Sequence, residues 1–283
     1  MHFLDFVTQL TEIPTTDVAV VLVSLSYKMD AVQAVRSNEV NEVNEVLSHF
    51  TDVMHQNPRM VKAMAETSLS FRHGDVKLAV KSLQSYLDWR LKKFGHLDDQ
   101  CLASDRKLQE QLTSKFIQIC PKRLGNGEAL VYISMKNHDP SLYSTEDTIK
   151  CMHFLLISSI IEDPSLAEKG FVLVNNMVDV EWRHLDMNFP GAIASAVGKS
   201  IPIRLTTLVI VDPPLLIRFI VPIVKSVLPA RLSDRLHIVT DLSQLTEVVH
   251  VNDVVDLPEE LGGKVILTID VDLERFVAEN RCA

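Results

Sequence analysis

The residues of this chain that could carry chemistry are few and lie far apart in the sequence. Gly198-Lys199-Ser200 resembles the end of a phosphate-binding loop, but Ile193 stands five residues earlier, where such a loop needs a glycine. The four cysteines form no CxxC pair, the ten histidines form no HExxH sequence, and no GxSxG sequence is present. These patterns predict no enzymatic activity, no cofactor and no metal. A non-enzymatic apolar site is the simpler interpretation.

Basic residues are concentrated in one segment of an acidic protein. The 283 residues carry a formal net charge of −9, which argues against non-specific binding to nucleic acid. Residues 199 to 240, by contrast, hold six basic residues (Lys199, Arg204, Arg218, Lys225, Arg231 and Arg235) against two acidic ones. This asymmetry indicates one anionic partner surface, and a solvated polar face is the alternative.

The same segment contains an apolar stretch between two candidate strands. Leu205 to Val211 is rich in β-branched residues and predicts a buried strand, and Leu236 to Thr240 predicts another. Between them, Pro214 to Leu228 reads as a helix that is apolar on nearly every side and too short to span a bilayer. Pro222 lies inside this helix and favours a kink.

The remaining elements would position this segment within an α/β fold. Helical spacing predicts helices over 59–94 and 106–120, and a local helix at 38–46. Strands are predicted at 129–135, 170–178 and 265–269, with helices at 145–161, capped by Ser144 or Thr145, at 192–198 and at 242–249. Strands that alternate with helices argue for a largely parallel sheet behind a small helical N-terminal lobe.

Four stretches, in order and with matching spacing over roughly residues 59 to 283, resemble the motifs of a known family. Leu69 to Ala79 is similar to FLRARxFDxxxA, Ile201 to Leu205 to YPxRL, Leu208 to Pro213 to ivNaP, and Leu257 to Gly263 to LPxxxGG. The chain therefore resembles the CRAL-TRIO lipid-binding family. The stretches around residues 203 to 240 look closest to its α-tocopherol transfer protein and cellular retinaldehyde-binding protein branch.

The resemblance implies a fold and a site. The fold is a mostly parallel five-stranded sheet with covering helices and a mobile gate helix, here residues 214 to 228, preceded by a small all-helical lobe. The pocket would be lined by apolar side chains from the helices, the strand and the gate: Met152, Leu156, Ile193, Val197, Leu208, Ile210, Leu216 and Ile220. A phosphoinositide-binding cluster would comprise Arg72, Arg204, Lys225, Arg231 and Arg235. Thr206 and Ser233 stand where the branch tends to carry further bases, so the cluster is thinner here.

The expected protein is a monomer that holds a hydrophobic small molecule or lipid, binds no nucleic acid, and is cytoplasmic and peripheral to phosphoinositide membranes. Its expected divisions are a variable segment at 1–57, the helical lobe at 58–120 and the lipid-binding domain at 121–283. Plain core packing is the alternative for each lining residue. The rival function is a cargo-free module of the same fold that binds a protein partner, and an enzyme on the same sheet is a third possibility.

Overall fold

A computed structural model describes residues 39–98, 104–196, 200–215, 217–218, 225, 230–251 and 257–265. The N-terminal helices are α1 (39–48), α2 (Thr51–Met54), α3 (Pro58–Phe71), α4 (Val76–Phe94) and α5 (Arg106–Thr113). The following elements are β1 (Ile117–Arg123), β2 (Ala129–Ser134), α6 (Thr145–Glu162), α7 (Leu166–Lys169), β3 (Phe171–Asn176), α8 (Phe189–Ser195), β4 (Leu205–Val211), α9 (Ala230–Ser233), β5 (Leu236–Val239) and α10 (Leu242–Val249). Short 3-10 turns lie at Met135–Asn137, Trp182–His184 and Glu259–Leu261.

Local sequence signals set the helix starts. The Asn57 side chain accepts a hydrogen bond from the Met60 amide, and Pro58 occupies the first turn of α3. Asp75 caps α4 in the same way. Ser144 and Asp147 form a reciprocal capping box at the start of α6, which identifies Ser144 as the N-cap.

The five strands lie in the order β1-β2-β3-β4-β5, with β2 to β5 parallel and β1 antiparallel to β2. Because parallel strands are joined by right-handed crossovers, a sheet whose strand order follows the chain carries its crossover segments on one face. The segments that contain α6 and α8 are two of these crossovers. This confirms the predicted mostly parallel five-stranded α/β fold with its helical N-terminal lobe.

Two expectations about elements need correction. Residues 106–120 are not one helix: α5 ends at Thr113, Lys115 has a positive φ of 59°, and Ile117–Arg123 is a strand. Ile117 and Ile119 pair with Ile133 and Val131 across the sheet, and that long-range pairing overrides the local helical pattern. The helix expected at 192–198 begins earlier, at Phe189. Of the strand expected at 265–269, only Val265 is described, and it bridges to Pro258.

Each face of the sheet is buried by a different set of elements. One face, here called the front face, shares a continuous apolar core with α6 and with the N-terminal helices, through residues such as Val131, Leu173, Met152 and Leu83. The back face packs against α10 and the 257–261 segment, as Val174, Val209 and Leu245 show. The lobe and the sheet are therefore held by one core on the front side.

Candidate functional site

The cover of the front face thins from β2 toward β5. In one row across the sheet, Ile133 on β2 aligns with Asn175 on β3, Ile210 on β4 and Ile238 on β5. Ile133 is 1% exposed, Ile210 is partly exposed, and Ile238 is 37% exposed. Leu208, two residues before Ile210 on the same face, is also partly exposed. Leu236 of β5, which pairs with Leu208, is 3% exposed. The incompletely covered apolar surface on the β4–β5 half of the front face therefore consists of Leu208, Ile210 and Ile238.

The structure brings five of the predicted lining residues into one cluster. Met152 and Leu156 of α6 are buried, and Ile193 of α8 and Leu208 and Ile210 of β4 are partly buried against the same core. The two α6 residues are core-packed, and Leu208 and Ile210 belong to the incompletely covered surface. Val197, Leu216 and Ile220 lie outside the described residues. Of the segment predicted as the gate helix, Ile217 packs against the front core, whereas Leu215 is 71% exposed.

Asn175 is a polar residue of this face that the lining prediction missed. Its neighbours in the row, Ile133 and Ile210, are apolar, and its amide oxygen Oδ1 is buried without a hydrogen-bond partner among the described residues. The sequence contained a signal for this residue: side chains of a strand alternate between the two faces, and Asn175 is a polar residue at an inward-facing position of the strand 171–176. Asn175 lies within the strand predicted at 170–178, but it was not among the predicted lining residues.

A cavity of about 180 Å³ lies where the N-terminal helices meet α6 and α8. Its walls include Trp89 and Phe94 of α4, Ile149 of α6, and Ala196 at the end of α8. Lys93 and Glu146, also in its walls, approach to 3.9 Å. None of the five predicted lining residues that the structure describes borders this cavity, so it is distinct from the β4–β5 surface.

A buried histidine stands behind the aromatic wall of that cavity. The His153 ring centroid lies 5.5 Å from Trp89 and 5.0 Å from Phe94, and its Nε2 shares a hydrogen bond with the Tyr86 hydroxyl at 3.0 Å. Burial lowers the pKa of His153 well below its usual range, and the charge of Arg90 lowers it further. His153 is therefore a neutral group that joins α6 to the N-terminal lobe.

Two predicted basic residues lie side by side at the edge of the sheet where β4 begins. The exposed Arg204 donates from Nη1 to the Glu168 carbonyl at 2.9 Å, and Arg235 donates from Nη1 to the Leu205 carbonyl. Gly170 permits this arrangement, because it has a φ of +86° and a Cβ there would stand 2.5 Å from the Arg204 carbonyl oxygen.

The other predicted basic residues occupy different positions. Arg72 lies in the N-terminal lobe, where Nε donates to the Ser82 hydroxyl at 2.7 Å and the guanidinium stands over the Phe71 ring. Ser70, two residues before Arg72, donates to the Ala167 carbonyl, and Arg204 donates to the carbonyl of the next residue, Glu168. Arg72 and Arg204 therefore lie in the same region of the molecule. The backbone of Arg231 lies in α9, and Lys225 is helical and partly buried.

Asp212, at the end of β4, is held by an arginine of the following segment. Arg218 pairs with Asp212 at 3.0 Å. Asp241 instead caps α10 through the Gln244 amide, and hydrogen bonds from Ser243 and from the backbone lower its pKa. Arg204 has no carboxylate partner among the described residues, so its charge is available at the surface.

Two further classes of site are absent from the part of the chain that the structure describes. Its His, Cys, Asp and Glu side chains form no group of three that could hold a metal ion. No described helix has the length and apolar character needed to cross a bilayer.

Comparisons with known proteins agree with this architecture. No curated protein sequence matches the chain. The fold is similar to that of Sfh5, known from its crystal structure, with a TM-score of 0.57 and 12% sequence identity over 87% of this chain and 97% of Sfh5. Residues 113–263, more than half of the chain, match the sequence model of the CRAL/TRIO domain. The chain therefore belongs to the CRAL/TRIO family of lipid-binding and transfer proteins.

Proposed function

We propose that this protein binds a hydrophobic ligand against the β4–β5 half of the front face and delivers it at phosphoinositide-containing membranes. The binding of a ligand at this surface is supported by one observation, the partial exposure of Leu208 and Ile210 beside the more exposed Ile238. Burying a fully exposed side chain of this size is worth about 1.5 to 3 kcal/mol. Because each of these three is at most about a third exposed, an apolar ligand that covers all of them gains about that much in total. Plain core packing would close over these positions, as it does over Val209 on the back face.

A pair of neighbouring substitutions separates a ligand pocket from a collapsed core. Leu208→Trp adds volume on the front face, and Val209→Trp adds similar volume to the closed back face of the same strand. Overpacking a closed core costs about 1 to 3 kcal/mol. We expect Val209→Trp to lose stability by this amount, and Leu208→Trp to keep its stability but lose co-purified lipid.

The measurements are urea unfolding for stability and mass spectrometry of a solvent extract of gently purified protein for the ligand. Ile193→Trp, from the α8 wall, should behave like Leu208→Trp. A wild-type extract without lipid, combined with equal destabilisation of the Leu208 and Val209 variants, would support the cargo-free interaction module instead.

The second half of the proposal, membrane docking, is supported by the position of the basic residues. Arg204 directly precedes β4, and Arg235 donates to the Leu205 carbonyl at the start of that strand. Arg231, four residues before Arg235, has its backbone in α9. Arginine suits phosphate because its planar guanidinium can donate two hydrogen bonds at once. Each basic residue near an anionic leaflet contributes about 1 kcal/mol, which a protein of net charge −9 needs in order to overcome repulsion.

The test of docking uses two double variants with the same change of charge. Arg231→Glu/Arg235→Glu alters the proposed surface, whereas Arg106→Glu/Arg183→Glu alters exposed arginines that pair with Glu110 and Glu181 elsewhere. We expect sedimentation with phosphoinositide vesicles to fall steeply, and to become less salt-sensitive, in the first variant only. Equal losses in both would show that net charge, and not this surface, governs binding.

The lid function of residues 214 to 228 stays a prediction from the family resemblance. An apolar lid should open rarely in water and more often at a membrane, because opening exposes large side chains. Hydrogen exchange of peptides from this range should therefore be faster with vesicles than without, and unchanged exchange would contradict a lid.

A further inference from the structure

Asn175 faces the proposed ligand surface from the middle of the sheet. Successive β3 side chains alternate between the faces: Leu173 belongs to the front core, Val174 to the back core, and Asn176 reaches the back-face residue Tyr132. Asn175 therefore points to the front. It lies in register between Ile133 and Ile210, which makes its amide the one polar group in that row of four side chains.

The two adjacent asparagines are bonded very differently. Asn176 donates from Nδ2 to the Tyr132 hydroxyl at 2.8 Å and accepts through Oδ1 from the Val178 amide at 3.1 Å. The Asn175 side chain is partly exposed, but its Oδ1 is buried and accepts no hydrogen bond from any residue that the structure describes. A buried amide oxygen without a partner is destabilising, and native proteins pair the great majority of such atoms.

A donor from outside the chain would satisfy this oxygen. We propose that Asn175 accepts a hydrogen bond from the hydroxyl group of the bound ligand, and that the cargo is consequently a lipid alcohol. This inference rests on the proposed function, because it requires the ligand to lie on the front face. Aldehydes, esters and ethers carry only acceptors, which can pair with the Asn175 Nδ2 but give Oδ1 no donor, so they bind less well than the matching alcohol.

One residue is sufficient to select an alcohol, because the other side chains in the row are apolar. Ile210 and Ile238 offer only apolar contact, so they bind the hydrocarbon part of any lipid without regard to its polar end. A single hydrogen bond in this setting corresponds to roughly a threefold to tenfold preference in affinity. The hydrocarbon chain supplies affinity, and Asn175 supplies the choice of functional group.

The experiment separates the pocket from the selection within it. Diphenylhexatriene, a fluorescent hydrocarbon with no polar group, reports occupancy of the apolar surface. Hexadecan-1-ol and its methyl ether then compete with it, in wild-type protein, in Asn175→Leu, and in a Thr207→Val control from the back face of β4. Leucine has the same number and branching of side-chain heavy atoms as asparagine, so Asn175→Leu removes the amide without leaving a cavity.

We expect wild type and Thr207→Val to prefer the alcohol threefold to tenfold. Asn175→Leu should bind the hydrocarbon at least as tightly and show no preference. Its thermal unfolding without lipid should not fall, because an unpaired buried oxygen has been removed. Equal competition by alcohol and ether in wild type, or a preference that persists in Asn175→Leu, would overturn the role of Asn175 while leaving the pocket intact. Failure of wild type to bind the hydrocarbon would overturn the proposed function, and this inference with it.

Discussion

Acid should weaken this protein through His153, because the folded chain holds that imidazole neutral. His153 is 1% exposed, and burial, together with the Arg90 charge, lowers its pKa well below its usual range. In the unfolded chain it titrates near 6.5. Between these two values the unfolded state binds the proton and the folded state does not, so the free energy of unfolding falls as the pH falls below 6.5.

The magnitude follows from this linkage. A group that binds a proton only when the chain is unfolded lowers stability by about 1.36 kcal/mol for each pH unit below its unfolded pKa. Between pH 7.5 and pH 5.5 the contribution of His153 therefore reaches at most about 1.4 kcal/mol, about three quarters of it below pH 6.5. His138, whose pKa burial also lowers, adds a separate contribution to the total.

The assay is urea unfolding at pH 7.5, 6.5 and 5.5 in wild type, His153→Gln and His49→Gln. Glutamine can retain a hydrogen bond to Tyr86 but does not titrate, so His153→Gln should show a pH dependence that is smaller by about 1.4 kcal/mol. His49 is exposed, and its variant should follow wild type. If His153→Gln loses stability with acid as steeply as wild type does, the inference that His153 is neutral in the folded lobe junction is wrong.

Two further substitutions test contacts that position the proposed surfaces. Tyr132→Phe removes the hydroxyl that donates to Glu260 at 2.6 Å and accepts from Asn176. Urea unfolding should therefore show that the variant is less stable by about 2 to 4 kcal/mol. A loss of stability below about 0.5 kcal/mol would contradict a role of this hydroxyl in holding the 257–261 segment. Gly170→Ala should lower the free energy of unfolding more than Gly95→Ala does, because both glycines have a similar positive φ but only a methyl at 170 would meet Arg204. It should also weaken sedimentation with vesicles. Equal losses of stability in the two variants would show that the contact with Arg204 carries no strain.

Local sequence determined the elements whose signals are short-range. The β-branched run 205–211 forms β4 with the predicted bounds, and the helix predicted at 242–249 has its predicted bounds as well. Ser144 and Asp75 act as N-caps because their side chains need only an amide three residues away. Ordered motifs over residues 59–283 were sufficient to indicate the family, since each reflects a turn or strand end that the fold requires.

Tertiary structure decided what depends on distant partners. Strand β1 exists because its isoleucines pair with β2 across the sheet, a contact that helical periodicity in 106–120 could not reveal. The burial of Met152 and the partial exposure of Ile210 were indistinguishable in sequence, because a core and a pocket use the same residue types. Asn175 was unremarked for a related reason: whether a polar side chain in a strand finds a partner depends on the layer that covers it, and that layer comes from elsewhere in the chain.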